Sequence, residues 1–176
     1  MNSTNLKNTI EVIGILAIVI SLVIVGFELR QSHQIAIASQ YQERTDSGRQ
    51  YFYEVLDSEY RMRDVASMSE RIEWPEGFLT EREQQWLAEN PIETWAEARI
   101  WANINLYGFD NYHYQFQSGF LSADGWGAME NRLHDMLVSD PFARYEIVVN
   151  GMFYREDFVK RALELLEGPG LEQLHE

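Results

Sequence analysis

The most continuous hydrophobic stretch of the chain lies near its amino terminus. Residues 12–27 carry no charged side chain and are mostly isoleucine, valine and leucine. With Ile10 and Leu29 as apolar flanks, a helix that rises about 1.5 Å per residue comes close to crossing the roughly 30 Å hydrocarbon core of a bilayer. The pattern therefore predicts a transmembrane helix over residues 10–29, preceded by a short flank, residues 1–9.

A cleavable signal peptide is the alternative interpretation, because Ala36-Ile37-Ala38 resembles a cleavage site. That tripeptide lies well beyond the apolar run, with Glu28, Arg30 and His33 in between. We therefore expect the helix to be retained as an anchor.

The polar and small residues of the predicted span are concentrated on one side of the helix. At about 100° per residue, the charged and polar positions fall within an arc of about 100°, with Ala17 at its edge. We call this face the polar stripe: Glu11, Gly14, Ala17, Ile18, Ser21, Val25, Glu28 and Ser32. It predicts either a face that packs against other helices or, in a ring of copies, the lining of a cation-conducting pore.

Helical periodicity continues after the span, with apolar or small residues three, four or seven positions apart. They are Tyr41, Thr45, Gly48, Phe52, Val55, Met62 and Ala66. This spacing predicts an amphipathic stem helix over residues 30–70, with Ser47-Gly48 as the expected bend. Residues 71–79 contain Pro75 and Gly77, which predict a loop.

Capping signals divide residues 80–168 into shorter helices. Two helix starts are predicted by capping boxes: Thr80 with Glu83, and Asn90 with Glu93, where Pro91 takes the first helical position. Three further starts are predicted at Ser122, at Asp140-Pro141 and near Arg155. Residues 169–176 are expected to fray. The predicted fold class is all-α: one transmembrane helix continuing into a long stem helix, followed by a small helical bundle.

Composition narrows the possible partners. The net charge of −14 disfavours nucleic acid, since phosphate binding needs clustered Lys and Arg. It also disfavours docking of the domain on anionic lipid. The absence of cysteine excludes disulfides and cysteine-based zinc sites. The expected partners are the lipid bilayer and other membrane subunits or further copies of the chain.

Catalytic chemistry has little support. Asp110 and His113, and likewise Glu130 and His134, share helical faces, but a di-metal bundle needs two Glu-x-x-His motifs and further glutamates. The chain has one such motif, ending at His175. Nucleophile-elbow and phosphate-binding glycine motifs are also missing from the sequence. We therefore predict no catalytic residue, no metal, no cofactor and no enzyme activity.

The segment from Trp101 to Phe120 is rich in aromatic residues, which indicates core packing, with a ligand pocket as the alternative. Three asparagines lie within it or beside it on the same predicted helix, although asparagine is a poor helix former. They are Asn103, Asn105 and Asn111. We expect some of them to form hydrogen bonds with a neighbouring helix or subunit.

Two segments resemble an uncharacterised family of short bacterial single-span membrane proteins. The first is Glu28-Leu29-Arg30-Gln31-Ser32, which is similar to the Arg-Gln-Asn or Arg-Gln-Ser step that follows the family's span. The second is Phe109-Asp110-Asn111-Tyr112-His113-Tyr114-Gln115, followed by Gly119-Phe120-Leu121 and Trp126, with Asp110 where the family has Glu. The resemblance implies a bacterial source and this architecture, and it implies no activity.

Basic residues near the span set the expected orientation. Lys7 precedes the span, whereas Arg30, Arg44 and Arg49 follow it. The positive-inside rule then places the acidic C-terminal domain in the cytoplasm, at the bacterial inner membrane.

Three classes of function follow. The first is a non-catalytic, membrane-anchored protein that assembles through its transmembrane helix, as a homo-oligomer or an accessory subunit. The second is a homo-oligomeric cation pore, and the third is a membrane-tethered sensor or enzyme.

Overall fold

The computed structural model describes the backbone of residues 3–167 and the side chains of residues 11–167. The predicted frayed tail and the Glu172–His175 motif lie outside these residues. The described part of the chain is helical and contains no strand, which confirms the all-α class. Its helices are α1 Ser3–Leu56, α2 Glu59–Glu70, α3 Glu81–Glu89, α4 Ile92–Gln117, α5 Ala123–Ser139, α6 Pro141–Val148 and α7 Glu156–Glu167, with a 3-10 turn at Gly151–Phe153.

The chain divides into two units, residues 1–40 and residues 41–176. The described part of the first unit, residues 3–40, is the N-terminal portion of α1 and contains the apolar run. An 18-residue window in it has a mean hydropathy of 2.8, and none of that window is buried. By length and composition, this helix can cross a membrane.

The second unit has a main core formed by α4, α5, α6 and α7. Six of its large side chains are no more than 1% exposed: Leu106, Leu133, Leu137, Phe142, Ile147 and Phe158. Burying a side chain of this size stabilises a fold by about 1.5–3 kcal/mol. Along α7, the buried Phe158, Ala162 and Leu166 recur every four residues, so one face of this helix closes the core.

A smaller core attaches the last turns of α1 and the helix α2 to α4. Val55 packs there with Ile100 and Ile104, and partly buried hydrophobic side chains of α1 and α2 surround them. The two cores lie on different faces of α4, so this helix is central to the unit.

The predicted stem helix differs from the structure in the position of its break. The helix runs straight through Ser47-Gly48 and ends at Leu56. Ser58 then caps α2 by accepting a hydrogen bond from the Arg61 amide. Gly48 has a packing role instead, because a Cβ atom there would lie 3.5 Å from the Tyr107 ring. The chain bends where a side chain can cap a new helix.

Most of the predicted caps are confirmed. Thr80 and Glu83 form the full capping box of α3, Ser122 caps α5 by accepting the Gly125 amide, and Asp140 caps α6. The helix predicted to begin at Asn90-Pro91 does begin there, at Ile92, but the predicted cap by Asn90 was wrong. Pro91 occupies the N-cap position of α4 without a side-chain hydrogen bond, and the side chain of Asn90 donates to the carbonyl of Trp86 at 2.8 Å.

Candidate functional site

The polar stripe is fully exposed in the first unit. Every described side chain from residue 11 to residue 36 is exposed, and so all eight members of the stripe lack a covering element. A Cβ atom at Gly14 would have nothing within 4 Å. The hydroxyl of Ser21 donates to the carbonyl of Ala17 at 2.8 Å. Ser21 is therefore satisfied as a donor within its own helix, and its oxygen remains able to accept from a neighbour.

The second unit carries a site that the sequence did not predict, centred on Arg155. Its Nε donates to Asp110 Oδ1 and its Nη2 donates to the Asp110 carbonyl, both at 2.9 Å. The same Nη2 lies 3.3 Å from His113 Nδ1. The guanidinium also lies 5.0 Å from the centre of the Tyr114 ring, a cation–π distance. One arginine therefore links the turn before α7 to three side chains on the same face of α4.

Both ring nitrogens of His113 have polar neighbours. An arginine only donates, so Nδ1 accepts from Arg155, and a neutral ring then carries its proton on Nε2, which faces the side-chain amide of Gln117 at 3.5 Å. His113 is 6% exposed, with the rings of Trp126 and Phe158 beside it. Burial, followed by the charge of Arg155, lowers the pKa of His113.

Other charges act on the same two groups. The carboxylates of Asp157 and Glu130 oppose the lowering of the His113 pKa, whereas Arg161 adds to it. Burial raises the pKa of Asp110, and the charge and hydrogen bonds of Arg155 act against this rise. The cluster therefore keeps His113 neutral and holds Asp110 against a permanent cation.

We expect this cluster to make stability depend on pH between neutrality and mild acid. The folded-state pKa of His113 lies below its ordinary value of 6.5, so the unfolded chain takes up the proton first. The contribution of His113 to the free energy of unfolding is fully present above about pH 6.5 and is lost as the pH falls below that value. The midpoint of thermal unfolding should fall less steeply below pH 6.5 in His113→Gln than in the wild type. His134→Gln, at a partly exposed histidine, is the control. An unchanged slope in His113→Gln would contradict the prediction.

The second acid–histidine pair of the sequence does not form a site. Glu130 Oε1 accepts from Arg161 Nε at 2.6 Å and from the indole of Trp126 at 2.9 Å. The hydrogen bond from Arg161 is the main cause of the lowered pKa of Glu130. His134 instead lies 3.7 Å from its neighbour Asp135. Among residues 11–167, no three histidine or acidic side chains are grouped as metal ligands.

Two further ion pairs are buried in the second unit. Arg144, 3% exposed, donates to both carboxylate oxygens of Glu83 at 2.9 Å. Arg99 donates to Glu146 Oε1 at 2.7 Å, and Asn150 donates to the other oxygen of that carboxylate at 3.0 Å. These pairs join α3 to α6 and α4 to α6.

The asparagines of α4 partly follow the prediction. Asn103 accepts from the Tyr154 hydroxyl at 2.9 Å, and Asn111 donates to Gln42 of α1 at 2.7 Å. Both bonds reach another element of the second unit. The side chain of Asn105 forms no such bond to another element; it donates to the carbonyl of Trp101 in its own helix. Burial raises the pKa of Tyr154, which keeps this phenol protonated as the donor to Asn103.

The aromatic segment of α4 packs mainly against its neighbours. Tyr114 stacks on Tyr41 with ring centres 3.9 Å apart, and Phe116 stacks on Trp126 at 5.8 Å.

Comparison with protein-family models, curated proteins and solved structures gave no match.

Proposed function

We propose that this chain is a non-catalytic, membrane-anchored helical protein that assembles through the polar stripe of its apolar helix. The product is a homo-oligomer or a complex in which the chain is an accessory subunit. The small residues Gly14 and Ala17 on the stripe favour a packed interface over a cation pathway, because they permit close approach of helices.

The observation that carries this proposal is the exposure of the whole apolar helix. A bilayer covers isoleucine, valine and leucine at no cost. Glu11, Ser21 and Glu28 are polar, however, and such residues in a span almost always face protein or water rather than lipid. They share the stripe with Gly14 and Ala17, whose small side chains let two helix backbones approach closely. A neighbouring helix on this face satisfies both requirements.

Replacing Gly14 by leucine should weaken assembly in detergent. The isolated chain has room for this side chain, because nothing lies within 4 Å of a Cβ atom built there. Any loss of association must therefore arise from a neighbour that the leucine holds away. We expect native mass spectrometry to show the wild type as an oligomer and Gly14→Leu shifted toward the monomer. Ser21→Leu should act in the same direction.

Gly26 provides a matched control. It belongs to the same helix and is equally unobstructed, but it lies about 110° from the centre of the stripe on the 100° count. Gly26→Leu should leave the distribution of species unchanged. A monomeric wild type, or equal losses from Gly14→Leu and Gly26→Leu, would refute assembly through the stripe.

We further propose that the helical domain faces the cytoplasm of a bacterium. Support comes from three arginines after the span, Arg30, Arg44 and Arg49, against the single Lys7 before it. Alkaline phosphatase fused after residue 176 should then be inactive, since this enzyme needs export to fold. A fusion to green fluorescent protein at the same point should fluoresce. An active phosphatase fusion would show the reverse orientation.

A further inference from the structure

A cleft of about 500 Å³ opens in the second unit between α3, α4 and the junction of α5 with α6. Its apolar lining includes Trp86, Ala98, Val138 and Phe142. Small-molecule sites in proteins commonly have volumes of about 300–1000 Å³ and mostly apolar walls. The cleft therefore has the size and surface of a site for a small organic molecule.

Two side chains of α3 dominate one wall of the cleft. Arg82 and Trp86 are four residues apart, so they lie on the same face of the helix. Trp86 is 37% exposed, although large aromatic side chains usually bury most of their surface. An apolar ring in the cleft would cover this indole and could lie beside the guanidinium.

The polar groups of the lining favour an anion. Both oxygens of Glu83 accept from Arg144, and Glu83 Oε2 also accepts from the Thr80 amide. Asp140 Oδ1 accepts two amides of α6. These carboxylates are used by the fold, whereas Arg82 forms no ion pair with any residue whose side chain is described.

Thr80 adds a second donor. Its hydroxyl oxygen accepts the Glu83 amide, which leaves the hydroxyl proton free to donate. Asp140 repels a negative charge, so the charged end of a ligand belongs beside Arg82. One unpaired arginine matches one negative charge, and a carboxylate matches the fork of its donors.

We propose that this cleft binds a small amphiphilic monoanion. Its aromatic or branched apolar body lies against Trp86, Ala98 and Val138, and its carboxylate pairs with Arg82. This site is independent of the proposed assembly, because it is built entirely from residues of the second unit.

The test uses the full chain in lipid nanodiscs, with isothermal titration of 2-naphthoate as the probe. Its neutral isostere 2-naphthamide has the same ring and nearly the same shape. We expect one naphthoate site per chain, with affinity at least about tenfold higher than for the amide. Empty nanodiscs give the background from lipid. No binding above that background would overturn the proposal.

Two variants separate the charge from the cavity. Arg82→Gln should remove the preference for naphthoate over naphthamide, because an uncharged side chain replaces the guanidinium. Ser139→Trp, at an exposed position of the lining, should fill the cleft and abolish binding of both probes. Arg63→Gln, at an exposed ion pair of α2, should bind like the wild type. A preference that survives Arg82→Gln, or binding that survives Ser139→Trp, would overturn the assignment.

Discussion

Replacing Arg144 by alanine should lower the free energy of unfolding by about 3–5 kcal/mol, the usual cost of removing one partner of a buried ion pair. The guanidinium donates to both oxygens of Glu83 and to the carbonyls of Phe78, Leu137 and Val138. The side chains of Arg144 and Glu83 are only 4% and 14% exposed. The variant leaves the largely buried Glu83 carboxylate and three carbonyls without this donor, and an unpaired buried group costs more than its bond contributed.

Denaturant unfolding of the full chain in detergent, followed by tryptophan fluorescence, measures this loss. Arg63→Ala is the control, because its ion pair with Glu59 is exposed and should contribute less than about 1 kcal/mol. Adding Glu83→Gln to Arg144→Ala removes the stranded charge, so it should recover part of the loss. A deficit in Arg144→Ala no larger than that of Arg63→Ala would contradict the expectation.

The helices of the second unit could be predicted largely from sequence because their caps are local. Ser122 and Asp140 each bond to amides two or three residues ahead, and such spacings are visible along the chain. The same spacing rule gave the wrong cap at Asn90. Asn90 can cap the helix that follows or end the helix that precedes it, and its bond to Trp86 decides for the second. Both outcomes use local hydrogen bonds, so the sequence spacing does not distinguish them.

The buried ion pairs could not be predicted, since their partners are far apart in sequence. Arg144 and Glu83 are separated by 61 residues, and Arg155 and Asp110 by 45. With 28 acidic residues in the chain, no spacing rule identifies the partner of a given arginine. The sequence offered one indication of the Arg144 ion pair. Arg144 lies among apolar residues in the short helix α6, and a charged residue in such a place is either exposed or paired with an opposite charge.

For the polar stripe, the sequence predicts which residues share a face but does not predict what contacts that face. Helical period alone places Gly14 and Ser21 on one face, and the helical backbone from Ser3 to Leu56 keeps that register. What covers this face depends on a second helix, and the first unit supplies none among its described residues. The position of the proposed interface is therefore a local property of the sequence, whereas its occupant depends on a second helix.

Replacing Arg155 by methionine should lower the free energy of unfolding by about 3 kcal/mol at pH 7 and by less in acid. The side chains of Arg155 and Asp110 are 20% and 18% exposed, so removing the cation strands a largely buried carboxylate. Burial already raises the pKa of Asp110, and Arg155 opposes that rise. In the variant this opposition is lost, so the pKa of Asp110 rises further and protonation relieves the penalty as the pH falls.

His113 shifts the variant in the same direction. Arg155 contributes to the lowering of the His113 pKa. Without it, the folded variant accepts a proton on His113 more readily and loses less stability below pH 6.5 than the wild type does. Both groups therefore predict that the difference in unfolding free energy between wild type and Arg155→Met narrows from pH 7 to pH 5.

Unfolding of the two proteins at several pH values in the same detergent gives this difference directly, and groups that titrate alike in both cancel. The double variant Arg155→Met with Asp110→Asn separates the two contributions. Asparagine retains an acceptor but cannot be charged, so the double variant should be more stable than Arg155→Met at pH 7. Its difference from Asp110→Asn alone should keep only the part of the pH dependence that comes from His113. A deficit in Arg155→Met that stays constant with pH would show that the arginine acts by packing on Tyr114 rather than by its charge.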